Sequence, residues 1–545
     1  MKNPELTLIL VMPPQFGLLG GFATGLISLA NYVQANQANM PKIAVQLLDL
    51  SSTPLSSLQE VIRQSQISGR ISFSSQTVVG ITTTTASYQA ALATASAFKS
   101  LSIPGVKFTT VFGGPHASAD AEIVLERNQA TVDYVIVGEG EIAMTEFLHR
   151  FPRVCSTPGL AFWHIHSVNF NPPAALLNES QLDSIPQTFE GDSINGTPGK
   201  FGHVTYVSAR GCPLKCAFCS VSNQKIRARS VARVCKDIRQ LVELGFSRIA
   251  IEDNFFAHTP RRTDELCGAL AELRRNGLEF SWDCQTRVES MDREGLVPLL
   301  ERAGCEAVYL GVESLVPERL EYLNKTQNPK RYLERLEQKV VPALLESNVR
   351  CFINLQFGLP GETDEDHTET KRILKKMGKA AADRGKTITI FPQLHVVYPG
   401  TSHFETGLRK DKTFPSDISF PRDIFESFTK WEAKQAPVLK WLGKHFAHGT
   451  GGIPIGILKP KVLEASQFET NDSDADKIVD VDAVMRISSV LTDLDEFAGI
   501  KVFKYGKYLV NEPGQSKADS RISAKHFRQK KYSANFLTIT SAGRN

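Results

Sequence analysis

The sequence predicts an α/β protein with two parallel sheets and a smaller C-terminal domain. Twice along the chain, short apolar runs alternate with helix-length stretches, which is typical of buried parallel strands joined by helical crossovers. The chain has 545 residues, of which 42% are hydrophobic and 22% are charged. Because a domain takes roughly 100 to 200 residues, about three domains of ordinary globular composition are expected.

Residues 1–150 form the first predicted domain, a doubly wound, Rossmann-like parallel sheet. Between Thr85 and Ile103 the apolar residues lie on one helical face, as expected of a helix that covers a sheet. Five apolar runs predict the strands of this sheet: LTLILVM (6–12), IAVQLLD (43–49), TVVGIT (77–82), TTVFGG (109–114) and YVIVG (134–138).

Residues 151–200 carry several prolines and no sustained period, so we expect an irregular connector there. Residues 201–412 then hold six β/α units, too few for a closed eightfold barrel. They predict an open, partial (β/α)6 TIM-like barrel with its functional groups at the carboxyl ends of the strands. The predicted strands are 204–208, 248–252, 280–286, 307–312, 351–357 and 388–397.

Residues 413–545 are expected to form a mainly helical or mixed domain that shapes the substrate pocket. A helix is predicted over 424–442, with Trp431 and Trp441 either in a helical core or lining that pocket. An acid-rich stretch follows at 471–476. The last residues, 515–545, are basic and are expected to be a solvated tail.

Composition narrows the functional classes. A formal net charge of +4 is close to neutral for this length and gives no reason to expect nucleic acid. The apolar run at 6–12 is too short for a secretory signal or a membrane span, so a cytoplasmic location is expected. Nine irregularly spaced cysteines favour reduced thiols or metal ligands over a disulfide framework.

Three of these cysteines stand together directly after the strand at 204–208. Cys212, Cys216 and Cys219 form a CxxxCxxC motif within ARGCPLKCAFCS. Three thiolates from one loop can hold three irons of a [4Fe–4S] cluster, which leaves the fourth iron open to a small molecule. The alternative, a zinc site, usually uses two CxxC pairs that are far apart in sequence.

With Phe218 before the last cysteine, the motif resembles the signature of the radical S-adenosylmethionine (SAM) superfamily, CxxxCx-aromatic-C. The resemblance implies reductive cleavage of SAM to a 5′-deoxyadenosyl radical. It assigns Glu252 and Asp253 to the methionine amino group, and Glu313, followed by Ser314, to the ribose. Arg287 either pairs with the methionine carboxylate or forms an ordinary ion pair.

The N-terminal segments VFGGPHAS (111–118) and VIVGEGE (135–141) follow predicted strands. Together with MPPQFG (12–17) and LDSIP (182–186), they resemble the cobalamin-binding subgroup of radical SAM enzymes. No histidine has an aspartate two positions before it, so the DxHxxG motif is absent and His116 is a poor candidate for a cobalt ligand. The resemblance assigns these residues to cobalamin: Gly113, Gly114, Pro115, His116, Gly138, Glu139 and Gly140.

A rival family, the radical SAM methylthiotransferases, binds a second cluster on N-terminal cysteines. Residues 1–154 contain no cysteine, which argues against that family.

The resemblance implies a methyltransferase in which SAM methylates Co(I) and a second SAM yields the radical. A substrate radical then takes the methyl group from methylcobalamin at an unactivated carbon. A cobalamin-dependent cyclase or rearranging oxidase is the alternative, and a cobalamin sensor or carrier is disfavoured by the intact cysteine motif. Expected partners are a small-molecule, lipid or peptide substrate and an electron donor such as flavodoxin or ferredoxin, with no nucleic acid and no membrane span.

Overall fold

The computed structural model describes residues 5–14, 24–38, 40, 42–51, 53–187, 203–405, 481–503 and 535–539. Within them, the residues up to 187 and the segment 535–539 belong to one compact unit, and 203–503 belong to another. The predicted helix over 424–442, both of its tryptophans, the acid-rich stretch and most of the basic tail lie outside the described residues. The C-terminal domain and the predicted domain boundaries therefore stay predictions.

Strands and helices alternate through both units. The strands are β1 (Leu6–Met12), β2 (Ile43–Asp49), β3 (Gln76–Thr82), β4 (Lys107–Gly113), β5 (Tyr134–Ile136), β6 (Leu160–His164), β7 (Ser167–Phe170), β8 (His203–Tyr206), β9 (Ala209–Arg210), β10 (Arg227–Ala228), β11 (Arg248–Ile251), β12 (Ser281–Thr286), β13 (Cys305–Glu313), β14 (Arg350–Phe357), β15 (Ile388–Leu394), β16 (Ile500–Val502) and β17 (Asn535–Ile539).

The helices of the first unit are α1 (Thr24–Ala35), α2 (Leu58–Ile67), α3 (Tyr88–Lys99), α4 (Pro115–Ala119), α5 (Ala121–Arg127), α6 (Gly140–Arg150) and α7 (Glu179–Ser184). Those of the second unit are α8 (Val231–Glu243), α9 (Pro260–Arg275), α10 (Val288–Met291), α11 (Leu296–Arg302), α12 (Pro317–Tyr322), α13 (Pro329–Arg335), α14 (Val341–Leu345), α15 (Asp364–Ala382) and α16 (Val481–Asp495).

The first sheet has the strand order β17-β2-β1-β3-β4-β5-β6-β7. Its five central strands, β1 to β5, run parallel. Apolar side chains pack on both faces, with α2, α3 and α5 covering one core and α1 and α6 covering the other. Phe112 lies in the first core and its neighbour Val111 in the second, as strand alternation requires. The predicted doubly wound sheet is confirmed.

The segment predicted to be an irregular connector contains regular structure, and that expectation was wrong for 160–184. β6 pairs antiparallel with β5 and with β7, so a hairpin extends the first sheet. Helix α7 begins at a capping box formed by Asn178 and Gln181. The two strands are short and partly exposed, β7 is the edge strand of the sheet, and prolines stand on either side of the hairpin. They therefore lack the continuous apolar run that marks a buried strand.

The second sheet has the order β16-β15-β14-β13-β12-β11-β8, and all of its strands are parallel. Six of them are the predicted ones, so the partial barrel is confirmed. The seventh, β16, comes from the C-terminal part of the chain and was not predicted. No helix in the described ranges is long and apolar enough to cross a membrane.

Candidate functional site

The cysteine loop follows β8 and is closed at its base by a short ladder. Ala209 and Arg210 of β9 pair antiparallel with Ala228 and Arg227 of β10. Gly211 has φ +89°, and a Cβ at this position would collide with the carbonyl oxygen of Lys225. Only glycine fits there, because it alone adopts this backbone conformation without strain and leaves the space open.

Backbone hydrogen bonds hold the loop from outside as well. Ala217 donates its amide to the carbonyl of Leu323 at 2.9 Å and accepts from the amide of His403 at 2.9 Å. Asn324 Nδ2 donates to the Lys215 carbonyl at 2.7 Å. The stretch that carries Cys216, Phe218 and Cys219 is thus tied to segments far away in sequence.

The environment of the three thiols fits an iron–sulfur cluster. Cys212 and Cys216 are buried, Cys219 is partly buried, and none forms a disulfide. Burial raises the pKa of Cys212 and of Cys219, so their thiolates need the positive charge that iron would supply. In the described ranges no three His, Cys, Asp or Glu side chains surround one common ion. A cluster needs no such convergence, because each thiolate binds a different iron.

Asp253, assigned from sequence to the methionine amino group, braces the cysteine loop. Its carboxylate is buried and accepts hydrogen bonds from Ser208 N at 2.6 Å, Ser208 Oγ at 2.5 Å and Ala209 N at 2.8 Å. Glu252 beside it is solvent-accessible, yet burial among neighbouring groups raises its pKa, and Asp253 raises it further. Its carboxylate is accessible to solvent, so a cationic ligand group can reach it.

Arg287 stands at the carboxyl end of β12, directly against the cysteine loop. Its Nη1 lies 3.4 Å from Cys216 Sγ. Its Nε and Nη2 donate to the two carboxylate oxygens of Glu289 at 3.2 and 3.0 Å, and Nη2 also donates to the Lys325 carbonyl. The ion pair that the sequence left open is therefore present.

Glu313, at the end of β13, lies in a buried polar network. Its Oε1 is 3.0 Å from Lys325 Nζ, and its Oε2 accepts from Gln356 Nε2 at 2.9 Å. Gln356 Oε1 is 2.7 Å from His395 Nδ1. Since Gln356 donates through its nitrogen, its oxygen must accept, and His395 carries its proton on Nδ1. Ser314 Oγ accepts from Val316 N at 3.2 Å.

Sequence reasoning missed Lys325, Gln356 and His395. Gln356 gave a signal, since it and Asn354 are the two polar residues in the otherwise apolar run CFINLQF. His395 directly follows β15, at the carboxyl end where functional groups were expected.

One face of the second sheet combines aromatic rings with acidic groups. Tyr309 stacks on Phe352 with ring centroids 4.5 Å apart, and Phe391 stacks on Phe503 at 4.5 Å. Burial, with Glu252 nearby, raises the pKa of Asp283 to about 6. Burial, with Asp283 nearby, raises the pKa of Tyr309 to about 12. This face therefore offers flat apolar contacts next to carboxyl groups.

In the first unit the predicted cobalamin residues lie at the carboxyl ends of β4 and β5. Gly113 ends β4, Gly114 has φ +91°, and α4 begins at Pro115. A Cβ on Gly114 would lie 2.7 Å from the Thr83 carbonyl oxygen, so the turn requires glycine.

His116 is buried against protein groups. Its Nδ1 lies 3.2 Å from Thr85 Oγ1, and its ring centroid is 4.2 Å from that of Tyr88. Burial lowers the pKa of His116 to about 4, so the ring is neutral at physiological pH.

The second turn of this edge leaves its backbone open. Gly138 has φ +92°, its amide donates to Ser118 Oγ at 3.0 Å, and no atom lies within 4 Å of an added Cβ. Glu139 then caps α6, which begins at Gly140. A bulky ligand can therefore approach the backbone at Gly138, which fits a cobalamin site at the carboxyl edge of a doubly wound sheet.

Two protein families match this chain, one in each unit. Residues 23–148 match the B12 binding domain, and residues 206–374 match the radical SAM superfamily. The chain combines a B12-binding domain with a radical SAM domain. Its cofactors are accordingly cobalamin, a [4Fe–4S] cluster and SAM.

Curated relatives of this chain include proteins described as methyltransferases. An uncharacterised methyltransferase of Pyrococcus horikoshii is 28% identical over 311 residues, which make up 55% of this chain and 64% of the relative. The hopanoid C-3 methylase of Methylococcus capsulatus is 26% identical over 239 residues, 42% of this chain and 44% of the relative. In both cases the chain spans less than two thirds of the relative's own length.

The radical SAM methyltransferase TsrM of Kitasatospora setae, solved with cobalamin and a [4Fe–4S] cluster bound, has a similar fold. The TM-score is 0.56 at 17% identity, and the match covers 73% of this chain and 77% of TsrM.

Proposed function

We propose that this protein transfers a methyl group from cobalamin to an unactivated carbon of its substrate through a 5′-deoxyadenosyl radical. The observation that carries the proposal is the presence of a B12-binding domain and a three-cysteine radical SAM loop on one chain. The relatives add support, since two of them are described as a methyltransferase and a methylase.

When bound, the cluster supplies the electron that cleaves SAM, and cobalamin supplies the methyl group. In this proposal Cys212, Cys216 and Cys219 would hold the cluster, and Phe218 directly precedes the last of these ligands. Their loop is fixed at both ends by the β9–β10 ladder and by Asp253. A loop held in this way keeps its thiolates in place without reorganisation when SAM binds.

Glu252 and Glu313 are the proposed SAM contacts. Glu252 is accessible to solvent and suits the methionine ammonium group, because a carboxylate is the natural partner of an ammonium. Both oxygens of Glu313 are engaged by Lys325 and Gln356. Each carboxylate oxygen has a further lone pair, so Glu313 can still accept a ribose hydroxyl while its neighbours fix its orientation. Ser314, next in the chain, is proposed to support the same contact.

The aromatic face of the second sheet is the proposed substrate surface. Tyr309 and Phe352 give a flat apolar contact, and Asp283 provides a nearby polar anchor. This surface suits a small molecule, a lipid or a peptide side chain with an apolar part. An external electron donor such as flavodoxin or ferredoxin, a cytoplasmic location and the absence of a nucleic-acid partner stay predictions.

In the first unit, the seven residues from Gly113 to His116 and from Gly138 to Gly140 are proposed to line the cobalamin site. The open backbone at Gly138 supports this role. His116 is held neutral by burial and contacts Thr85, so we propose no cobalt ligation by it.

The test is anaerobic reconstitution of the full chain with iron, sulfide and hydroxocobalamin, followed by SAM and a reductant. Mass spectrometry then quantifies 5′-deoxyadenosine and S-adenosylhomocysteine. We expect both products, because methyl transfer consumes one SAM as methyl donor and another as radical source. Deoxyadenosine alone would favour the cyclase or rearranging oxidase. Neither product from cluster-loaded protein would overturn the proposed mechanism.

A further inference from the structure

The guanidinium of Arg287 is held against one of the three cluster thiols. Its Nη1 lies 3.4 Å from Cys216 Sγ, within hydrogen-bonding distance for sulfur. Only 10% of the Arg287 side chain is exposed, and Cys216 is buried. The contact is therefore shielded from water. A charge acts more strongly on its neighbours in such an environment than it does in solvent.

Two further contacts orient this guanidinium. Glu289 binds it through both carboxylate oxygens, and the Lys325 carbonyl accepts a hydrogen bond from Nη2. An arginine side chain stays protonated in proteins. Arg287 is thus a permanent cation with one N–H pointing at Cys216.

Lys325 brings a second buried cation to the same place. Its Nζ pairs with Glu313 at 3.0 Å, and its side chain is 6% exposed. Its positive charge also acts on Cys212 and on Cys219. Two buried cations, Arg287 and Lys325, therefore lie near the thiolates that the cluster requires.

Net charge, hydrogen bonds to sulfur and solvent exposure set the reduction potential of an iron–sulfur cluster. Reduction adds one electron from an external one-electron donor, breaks no bond and makes the cluster one unit more negative. A cation with an N–H directed at a ligand sulfur stabilises the reduced form more than the oxidised form. We propose that Arg287 makes the cluster easier to reduce by donating to the Cys216 thiolate.

This inference rests on the cluster and not on methyl transfer. It also gives Arg287 a role different from binding the methionine carboxylate. The two roles are separable, because the potential of the cluster can be measured in the absence of SAM. Arg287 acts through the cysteine ligand and is therefore a positioning residue of the cluster rather than a group that touches the reacting atoms.

The experiment is a redox titration of the reconstituted full-length protein without SAM, followed by electron paramagnetic resonance. In Arg287→Met we expect a more negative midpoint potential, since the cation and its hydrogen bond are lost. In Glu289→Gln we expect a less negative midpoint, because the carboxylate that partly neutralises Arg287 is gone. Arg261→Met is the control, since its side chain is 91% exposed and pairs only with Glu265 among the described residues. Its midpoint should equal that of the wild type.

Opposite shifts in the two variants support the proposal, because damage to packing would move both midpoints in the same direction. If Arg287→Met has an unchanged midpoint potential and binds SAM more weakly, Arg287 binds the methionine carboxylate instead, and the proposal is overturned. If Arg287→Met retains no iron, Glu289→Gln decides, and a midpoint equal to the wild type contradicts the inference. If the wild-type protein itself forms no cluster, both this proposal and the assignment of a [4Fe–4S] cluster are overturned.

Discussion

Both units place their functional groups at the carboxyl ends of parallel strands. The groups differ in kind, because one site is formed mainly by backbone and the other by charged side chains. In the first unit the edge is made of backbone, with Gly114 and Gly138 at positive φ and a neutral, buried His116. In the second unit it is made of buried charges, with Arg287 and Lys325 beside the cysteine loop. The difference follows from the cofactors, since a large flat ligand needs open backbone and a cluster with anionic thiolates needs compensating charge.

Removing a cluster ligand should have the largest effect on the second unit and none on cobalamin binding by the first. In Cys216→Ala we expect no stable cluster and a fall in 5′-deoxyadenosine formation of more than roughly 100-fold, because a thiolate ligand is lost outright. Cobalamin binding, measured by visible absorbance after desalting, should stay at the wild-type level. Equal loss of cobalamin would show that the two sites are not independent and would break the comparison.

The proposed cobalamin site in the first unit should be disturbed even by a single added methyl group. In Gly114→Ala the new Cβ meets the Thr83 carbonyl oxygen at 2.7 Å and the φ is unfavourable. The combined strain and overpacking cost about 2 to 5 kcal/mol. We expect weaker cobalamin retention with normal iron content. Gly105→Ala is the matched control, because Gly105 also has a positive φ, of +75°, but no atom lies within 4 Å of its added Cβ. It precedes β4, at the opposite end of that strand from the proposed cobalamin residues, and should retain cobalamin normally.

The cluster site in the second unit should depend on the hydrogen bonds of Asp253. Asp253→Ala removes the acceptor for Ser208 N, Ser208 Oγ and Ala209 N, leaving buried donors without a partner. Such groups cost about 1 to 3 kcal/mol, so the iron content after reconstitution should fall. Asp264→Ala removes an exposed carboxylate that pairs with Arg293, and it should change iron content little. A full complement of iron in Asp253→Ala would refute the bracing role.

The smallest effect concerns Asp283, whose pKa burial raises to about 6. Its unfolded pKa is about 3.9, so its contribution to stability is present below pH 4 and is lost as pH rises through about 6. Asp283→Asn is insensitive to pH and should exceed the wild type by roughly 1 to 2 kcal/mol at pH 8, with little difference at pH 4. Thermal unfolding at both pH values measures this. A gap of the same size at both would contradict the burial of a charged carboxyl.

Local pattern was enough for most of the fold. Continuous apolar runs predicted β1 and β2 with their observed bounds, and all six predicted barrel strands are present. The missed strands are short or distant in sequence. β6 and β7 lie at a sheet edge, and β16 joins β15 from more than 100 residues away. Such a strand is stabilised by its partner, and its own residues carry little signal.

Sequence could indicate the candidate site residues that lie in motifs or at the ends of predicted strands. The three cysteines and Glu313 were singled out from motifs, and Arg287 from its place at the end of a predicted strand. The structure places them at one end of the second sheet, and their roles stay predictions. Lys325, Gln356 and His395 were not found, because they come together only through tertiary contacts. Asp253 was singled out, but its contact with Ser208 depends on the pairing of β11 with β8, which the pattern of neither strand reveals.

The most direct test of the central claim is to follow a labelled methyl group. The reconstituted, desalted protein is given SAM that carries a deuterated methyl group together with a reductant, and bound cobalamin and iron are counted per chain. We predict about one cobalamin and about four irons per chain, with deuterated methyl recovered on cobalamin. A protein that holds iron but no cobalamin, or whose cobalamin never acquires the label, would contradict the account.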